Sequence, residues 1–337
     1  MRSAPAFWKQ RSLRAASLLP AAALFRGLAA LRCGLYQHGI LRRERLPVPV
    51  IIVGNIAVGG SGKTPAVLWL VEELQKAGRH PGIVSRGYGG RAAAGNTPHL
   101  VAPDPDPDFH GDEPVLLARE SGCPVAVGRN RPAAARALLA AHPECDVIVS
   151  DDGMQHYRLA RTVEIAVVDE QALGNCWPLP SGPLREPLVR LAEVDLILAH
   201  GELSSRLRTR SVPVASMRLV GERFRSLARP DEWCGTEAFA GKKVHALAGI
   251  GQPQRFFDQL TAMGLDVIPH PFPDHYRYRA ADFESASGET WLMTSKDAVK
   301  CASFAPPDAW ELPVRAVIDA GAITPVLEKL DDGRQTA

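Results

Sequence analysis

At 337 residues the chain is long enough for about two domains, and a hydrophobic content of 46% can fill two cores. Its 39 Lys and Arg against 37 Asp and Glu leave a net charge of +2, which is too small to suggest a nucleic-acid surface. Cys33, Cys123, Cys145, Cys176, Cys234 and Cys301 are scattered, with no C-x-x-C pair and no short metal spacing, and are expected to be reduced thiols of a cytosolic protein.

Residues 1–46 form a basic segment: Arg2, Lys9, Arg11, Arg14, Arg26, Arg32, Arg42, Arg43 and Arg45 face one acid, Glu44. The uncharged run from Ala15 to Phe25 is shorter than the about 20 residues a helix needs to cross a bilayer, so no transmembrane helix is expected. Arg26 and Arg32 interrupt what would otherwise resemble a signal peptide. Leu24, Leu28, Leu31 and Leu35 fall on one helical stripe flanked by arginines. Such a stripe lies in an anionic membrane surface or packs on the protein's own core, and the pattern fits both.

Next, Val50-Ile51-Ile52-Val53 predicts a buried strand, and Pro65 opens the helical run AVLWLVEEL. Between them lies Ala57-Val58-Gly59-Gly60-Ser61-Gly62-Lys63-Thr64, the phosphate-binding loop that strand–loop–helix order requires. Glycine backbone N–H groups can turn around an anion, Lys63 can reach the β- and γ-phosphates, and Thr64 can offer a hydroxyl to Mg²⁺. The strict G-x-x-x-x-G-K-[ST] pattern has Gly where this chain has Ala57. The competing reading is a glycine-rich turn that happens to carry Lys and Thr.

Pro81–Ser85 reads as a second strand, ending in the loop Ser85-Arg86-Gly87-Tyr88-Gly89-Gly90, where open parallel sheets meet their substrates. His110-Gly111-Asp112-Glu113-Pro114 enters a helix. Its two carboxylates either cap that helix or serve as base and metal contact near a γ-phosphate. After a strand at Val125–Val127, the apolar strand Val147–Ser150 ends in Asp151-Asp152-Gly153-Met154-Gln155-His156, the arrangement in which a carboxylate holds Mg²⁺. A further strand ends at Asp169, and another covers Val194–Ala199. Between these last two, a proline-rich loop presents Arg185, which either binds an anionic group through its planar fork or pairs with a neighbour such as Glu186.

From Val212 two β-like pieces lead to a second, smaller α/β unit with a strand at Lys243–Ala248, a helix from Pro253 and a strand at Val267-Ile268. Phe272-Pro273-Asp274-His275-Tyr276 forms a loop. Trp291–Thr294 leads into a polar cluster whose Asp297 either reads a purine edge or is solvated at the surface.

The motifs GNIAVGGSGKTP, SRGYGG, HGDEP, DDGMQH, LPSGPLREP, FPDHYRY and TSKDAVK, in this order over most of the chain, closely resemble the tetraacyldisaccharide 4'-kinase family, the lipid A kinases of bacteria that build an outer membrane. Ala57 belongs to that family's variant of the loop. The resemblance implies ATP and Mg²⁺, γ-phosphate transfer to the 4'-hydroxyl of a lipid A disaccharide precursor, and a product of the lipid IVA type. It further implies peripheral attachment to the anionic cytoplasmic face of the inner membrane, with no nucleic acid and no required protein partner. It also implies Asp112 as base or acceptor-orienting carboxylate with His275 as its partner across a cleft, and a metal and phosphate set of Thr64, Glu113, Asp151, Asp152 and Gln155. Arg185 and Arg86 would meet acceptor or phosphoryl oxygens.

The expected fold is α/β, a P-loop NTPase domain with a mostly parallel sheet flanked by helices and a smaller α/β domain. The expected limits are 1–46 for the membrane-associating segment, 47–210 for the kinase domain, 211–230 for a β-like linker and 231–330 for the smaller domain. Two other readings use the same loop: a GTPase or ATPase switch or metallochaperone, and a soluble small-molecule kinase.

Overall fold

A computed structural model describes residues 5–205, 207, 211–286 and 288–335; Arg2 of the basic segment lies outside them. In chain order the N-terminal part holds α1 (Leu13–Ser17) and α2 (Leu19–Gln37), then β1 (Val50–Gly54), α3 (Lys63–Lys76), β2 (Pro81–Ser85), β3 (His99–Leu100), α4 (Pro107–His110) and α5 (Asp112–Ser121). The chain continues through β4 (Val125–Val127), α6 (Arg131–Ala141), β5 (Val147–Asp151), β6 (Val163–Asp169), β7 (Leu196–His200) and β8 (Val214–Val220). The remainder is β9 (Phe224–Ser226), β10 (Trp233–Cys234), β11 (Lys243–Ala248), α7 (Pro253–Ala262), β12 (Asp266–Pro271), β13 (Trp291–Thr294), α8 (Ser295–Cys301), β14 (Ala309–Leu312), β15 (Arg315–Ile318) and α9 (Thr324–Gln335).

The larger sheet has the order β15-β8-β7-β6-β1-β5-β2-β4-β3, parallel except for the edge strands β3 and β15. Helices cover both faces, which is why β1 is apolar at four successive positions. Ile51 and Val53 pack with Leu70 and Leu74 of α3 and Leu117 of α5, while Val50 and Ile52 pack with Leu138 of α6 on the opposite face. Truncating a residue such as Leu70 to Ala would cost about 2–5 kcal/mol. Because β1, β2, β5, β6 and β7 run parallel, their carboxyl ends share one edge, and that edge carries the functional residues.

The smaller sheet has the order β10-β9-β14-β13-β11-β12, with β11 to β14 parallel and the β9 and β10 pairings antiparallel. The boundaries expected from sequence are corrected here. Residues 211–230 are not a separate linker, since β8 is a strand of the larger sheet and β9 a strand of the smaller. Nor does the smaller unit run to residue 330, because β15 pairs with β8 and α9 packs its Val326 and Leu330 into the larger core. Two chain passages, at Gly221 and at Pro313-Val314, therefore lie side by side between the units. A Cβ on Gly221 would approach Pro313 O to 3.0 Å, which leaves little room there for any other residue.

Alpha2 leaves most of its leucine stripe uncovered. Leu24, Leu28 and Leu31 are 66%, 59% and 60% exposed, so these three do not pack on the protein's own core, while Leu35 is half-buried. Within α1 and α2 only Ala15 and Ala22 are buried. The preceding segment is anchored by Ser181 Oγ donating to Ala15 O at 2.6 Å and by Trp8 Nε1 donating to Pro180 O at 3.0 Å. Among the described residues, no helix is long and apolar enough to cross a membrane.

Candidate active site

Beta1 ends at Gly54 and the loop that follows turns back to α3. Gly62, at φ +82°, is the residue before that helix, a left-handed conformation that glycine takes without a steric penalty. Asn55 Nδ2 donates to Ser61 Oγ at 3.0 Å, bracing the loop across its base. Gly59, Gly60, Ser61, Gly62, Lys63 and Thr64 line a cleft of about 1880 Å³ between the two units. Val58 also lines it and anchors the loop, its N–H donating to Pro183 O at 2.9 Å. Ala57, expected among the nucleotide-binding residues, is instead 2% exposed and bridges to Leu184, so it serves the scaffold behind the loop.

The Val53–Asp151 register of β1 and β5 sets the paired aspartates beside the loop. Asp151 is buried and accepts from Ser85 Oγ at 3.0 Å, while its backbone carbonyl accepts from the buried Arg131 at 2.9 Å. Burial and the nearby negative charges of Glu113 and Asp152 push the Asp151 carboxyl well above its usual range. For Asp152 burial acts in the same direction, but Lys63, Arg185 and the Arg185 hydrogen bond prevail and hold it at about 2. Its carboxylate stands 3.7 Å from Lys63 Nζ and 3.0 Å from Arg185. Asp152 also has φ +48°, an uncommon conformation for a side-chain-bearing residue, found here where the aspartate turns toward the loop.

Arg185 thus pairs with Asp152, and Glu186 instead engages Arg190, Gln155 and Tyr157. Gln155 donates to Asn55 O at 3.0 Å and to Glu186 at 2.7 Å, and accepts from Arg185 at 3.3 Å. Those bonds make it a brace for Arg185 at the edge of the cleft.

On the opposite wall, Gly111 (φ +95°) precedes α5 and places Asp112 and Glu113 in its first turn. The SRGYGG loop lies directly on this entrance: a Cβ on Gly90 would sit 2.5 Å from both Gly111 N and Phe109 O. Only backbone fits between them, so the glycines fix where Asp112 stands. His275, at φ +59°, reaches from the smaller unit to place Nδ1 3.0 Å from Asp112 Oδ2, with the Tyr88 ring 4.9 Å from its own. Burial works to raise the Asp112 carboxyl, but the His275 bond and the charges of Lys296, His275 and Lys300 outweigh it and keep the group ionised below its usual value.

The structure therefore brings Lys63, Thr64, Arg86, Glu113, Asp151, Asp152, Gln155, Arg185 and His275 to one cleft, with Asp112 at its wall. Asp297 is the exception. It is 0% exposed, accepting from Gly249 N–H, Thr294 Oγ1 and Tyr278 OH and paired with Lys300, so it neither reads a base nor faces solvent. Sequence reasoning also gave no role to Ser85, which holds Asp151, or to Lys296, whose ammonium lies 3.1 Å from Glu113. A hydroxyl at the end of β2 and a lysine beside Asp297 were the available signals.

No three His, Cys, Asp or Glu side chains converge on a ready-made metal cage among the described residues. Mg²⁺ nevertheless suits the donors at the loop: Thr64 offers a hydroxyl, and Glu113 and Asp152 are near enough to Asp151 that their charges raise its carboxyl. A hard cation that keeps waters and shares phosphate oxygens needs only one or two such carboxylates.

The sequence profile of the tetraacyldisaccharide-1-P 4'-kinases matches residues 14–331. The tetraacyldisaccharide 4'-kinase of Azoarcus sp. (strain BH72) is 62% identical, covering 100% of this chain and 98% of its own. That of Aromatoleum aromaticum is 61% identical, over 100% and 99%. The crystal structure titled as the "apo" form of LpxK from Aquifex aeolicus in complex with ATP superimposes with a TM-score of 0.79 at 28% identity, covering 94% of this chain and 98% of that one.

Proposed function

The chain belongs to the tetraacyldisaccharide-1-P 4'-kinase family and is a kinase of lipid A biosynthesis, and we propose how its residues divide the transfer of the ATP γ-phosphoryl group to the 4'-hydroxyl of tetraacyldisaccharide 1-phosphate. Backbone N–H groups from Gly59 to Thr64 cradle the β- and γ-phosphates, and Lys63 carries the compensating charge. Asp112 accepts the proton of the sugar hydroxyl, and His275 orients that carboxylate. Arg185 meets the anionic oxygens of acceptor or phosphoryl group. Thr64, Glu113, Asp151 and Asp152 would hold Mg²⁺, which when bound supplies charge neutralisation at the transferring group. Phosphoryl transfer asks for positioning and charge more than covalent chemistry, and these side chains provide both.

The observation that carries this reading is the 3.0 Å contact between Asp112 and His275, made by opposite units across the cleft that holds the phosphate loop. A base buried between two units is shielded from the water that would otherwise hydrolyse ATP. The exposed Leu24, Leu28 and Leu31, among Arg26 and Arg32, support docking of α2 on the anionic cytoplasmic face of the inner membrane, where the acceptor's acyl chains reside. Phe25, Leu28, Ala29 and Arg32 of the same helix line the cleft, so one helix face can meet both lipid surface and acceptor.

The test supplies radiolabelled ATP and tetraacyldisaccharide 1-phosphate in detergent micelles to the wild type, Lys63→Ala and Asp112→Ala. Label should enter the lipid with the wild type and fall sharply in both variants. An unlabelled lipid, with GTP hydrolysed in the absence of acceptor, would favour a switch protein instead.

A further inference from the structure

Lys296 is the second residue of α8, in the smaller unit, yet the three carboxylates within 4.0 Å of its ammonium all lie outside that helix. Nζ is 3.1 Å from Glu113 Oε1, 3.3 Å from Asp274 Oδ1 and 3.9 Å from Asp112 Oδ2. Docking of α8 on α5 fixes this placement through a small apolar contact of Val299 with Val115 and Leu116. One turn further along α8, Lys300 is anchored to Asp297 at 2.8 Å and stands 4.0 Å from Asp112. The two lysines share one helix face, but Lys300 is held by its own helix and Lys296 by residues outside it.

Without Lys296, Asp112, Glu113 and Asp274 would confront one another across the interface with fewer compensating charges, and like charges at such distances repel strongly away from water. Asp274 immediately precedes His275, so whatever fixes Asp274 also fixes the ring that meets Asp112. Glu113, in turn, is one of the carboxylates suited to a divalent cation. An ammonium 3.1 Å away already occupies part of the space such a cation would use.

We propose that Lys296 is a positioning residue for the phosphoryl transfer: by bridging Glu113 of the larger unit and Asp274 of the smaller, it seats His275 on Asp112 and competes with a divalent cation for Glu113. The proposal rests on the kinase reading above. Lysine suits the role because its compact ammonium approaches several carboxylates at once, whereas a guanidinium is broader and planar.

The test uses full-length wild type, Lys296→Met and Lys296→Arg, with folding checked by circular dichroism and thermal melting. Two quantities are read: kcat and KM for ATP in lipid phosphorylation, and Mn²⁺ affinity by electron paramagnetic resonance with a non-hydrolysable ATP analogue. For Lys296→Met the expectation is a kcat about 100-fold lower with a KM for ATP within about threefold, as misplacement of a catalytic pair produces. Its Mn²⁺ affinity should rise severalfold, a change that a lysine needed only for folding would not cause.

Lys296→Arg, which keeps the charge, should retain the wild-type Mn²⁺ affinity while losing about tenfold in kcat through altered spacing. If Lys296→Met does not fold, Lys296→Arg decides alone. Wild-type kcat in either folded variant, or an unchanged Mn²⁺ affinity in folded Lys296→Met, overturns the proposal. A wild type that leaves the lipid unlabelled overturns the kinase reading itself.

Discussion

Asp112 and His275 should behave as one device, and a double-mutant cycle measures this. Their side chains are largely buried and meet at 3.0 Å, a hydrogen bond to a charged group worth about 1.5–3 kcal/mol. If His275 acts only by orienting Asp112, His275→Ala forfeits that bond, lowering kcat by about 10- to 150-fold. Asp112→Ala removes the proton acceptor and should cost about 10²- to 10⁴-fold. Independent roles would make the double variant lose the product of the two factors, about 10³- to 10⁶-fold. Interdependent roles predict a double variant within about threefold of Asp112→Ala alone, because there is no carboxylate left to orient. The assay is initial-rate phosphorylation of tetraacyldisaccharide 1-phosphate in mixed micelles at saturating ATP, with KM for ATP near wild type because the phosphate loop is untouched. Multiplicative losses would refute the argument and assign His275 a contact of its own with substrate.

Gly90→Ala places a methyl 2.5 Å from two backbone atoms at the entrance of α5; it should destabilise the protein by about 1–3 kcal/mol in urea unfolding and lower kcat by about 10²-fold as Asp112 shifts. Asp169 gives a pH signature. Burial works to raise its carboxyl, but His200 at 3.6 Å and the hydrogen bond and charge of Arg255 bring it from 3.8 down to about 2. A folded-state value below the unfolded one means stability that is fully present above pH 3.8 and lost as pH falls toward 2. The stability gap between wild type and Asp169→Asn, about 2 kcal/mol at neutral pH, should accordingly begin to narrow below about pH 4 in urea titrations. Replacing Leu24, Leu28 and Leu31 with Ser should abolish co-sedimentation with anionic vesicles and leave the melting temperature unchanged, since all three are exposed.

Much of the site was legible because phosphate chemistry constrains local sequence. A β-branched strand, glycines and Lys-Thr can hardly be arranged otherwise, and Asp151-Asp152 had to stand at the end of a parallel neighbour. Asp297 and Lys296 mark the limit. Adjacent in sequence, they point to opposite fates, one sealed among Gly249, Thr294, Tyr278 and Lys300, the other reaching into the cleft. Nothing local separates them, because helical rotation and the docking of α8 on α5 decide the outcome. The unit boundaries differ for a similar reason: β8 and β15 are far apart in sequence, and only their pairing reveals that the larger sheet is completed by a strand that follows the smaller unit. Ala57 was counted with the nucleotide contacts because it stands inside the motif, whereas its bridge to Leu184 is a tertiary contact.

That late completion has a consequence for the nascent chain. The smaller unit is continuous from Phe224 to Leu312 and can fold as soon as those residues have left the ribosome. The larger one cannot, because Ala316, Ile323, Val326 and Leu330 complete the same core face as Ile51, Val53 and Leu70. The stretch of that face beside β6, where α9 packs, therefore stays uncovered until α9 emerges. In translation the unit begun first is finished last, and the intervening interval is when this chain most needs protection from aggregation.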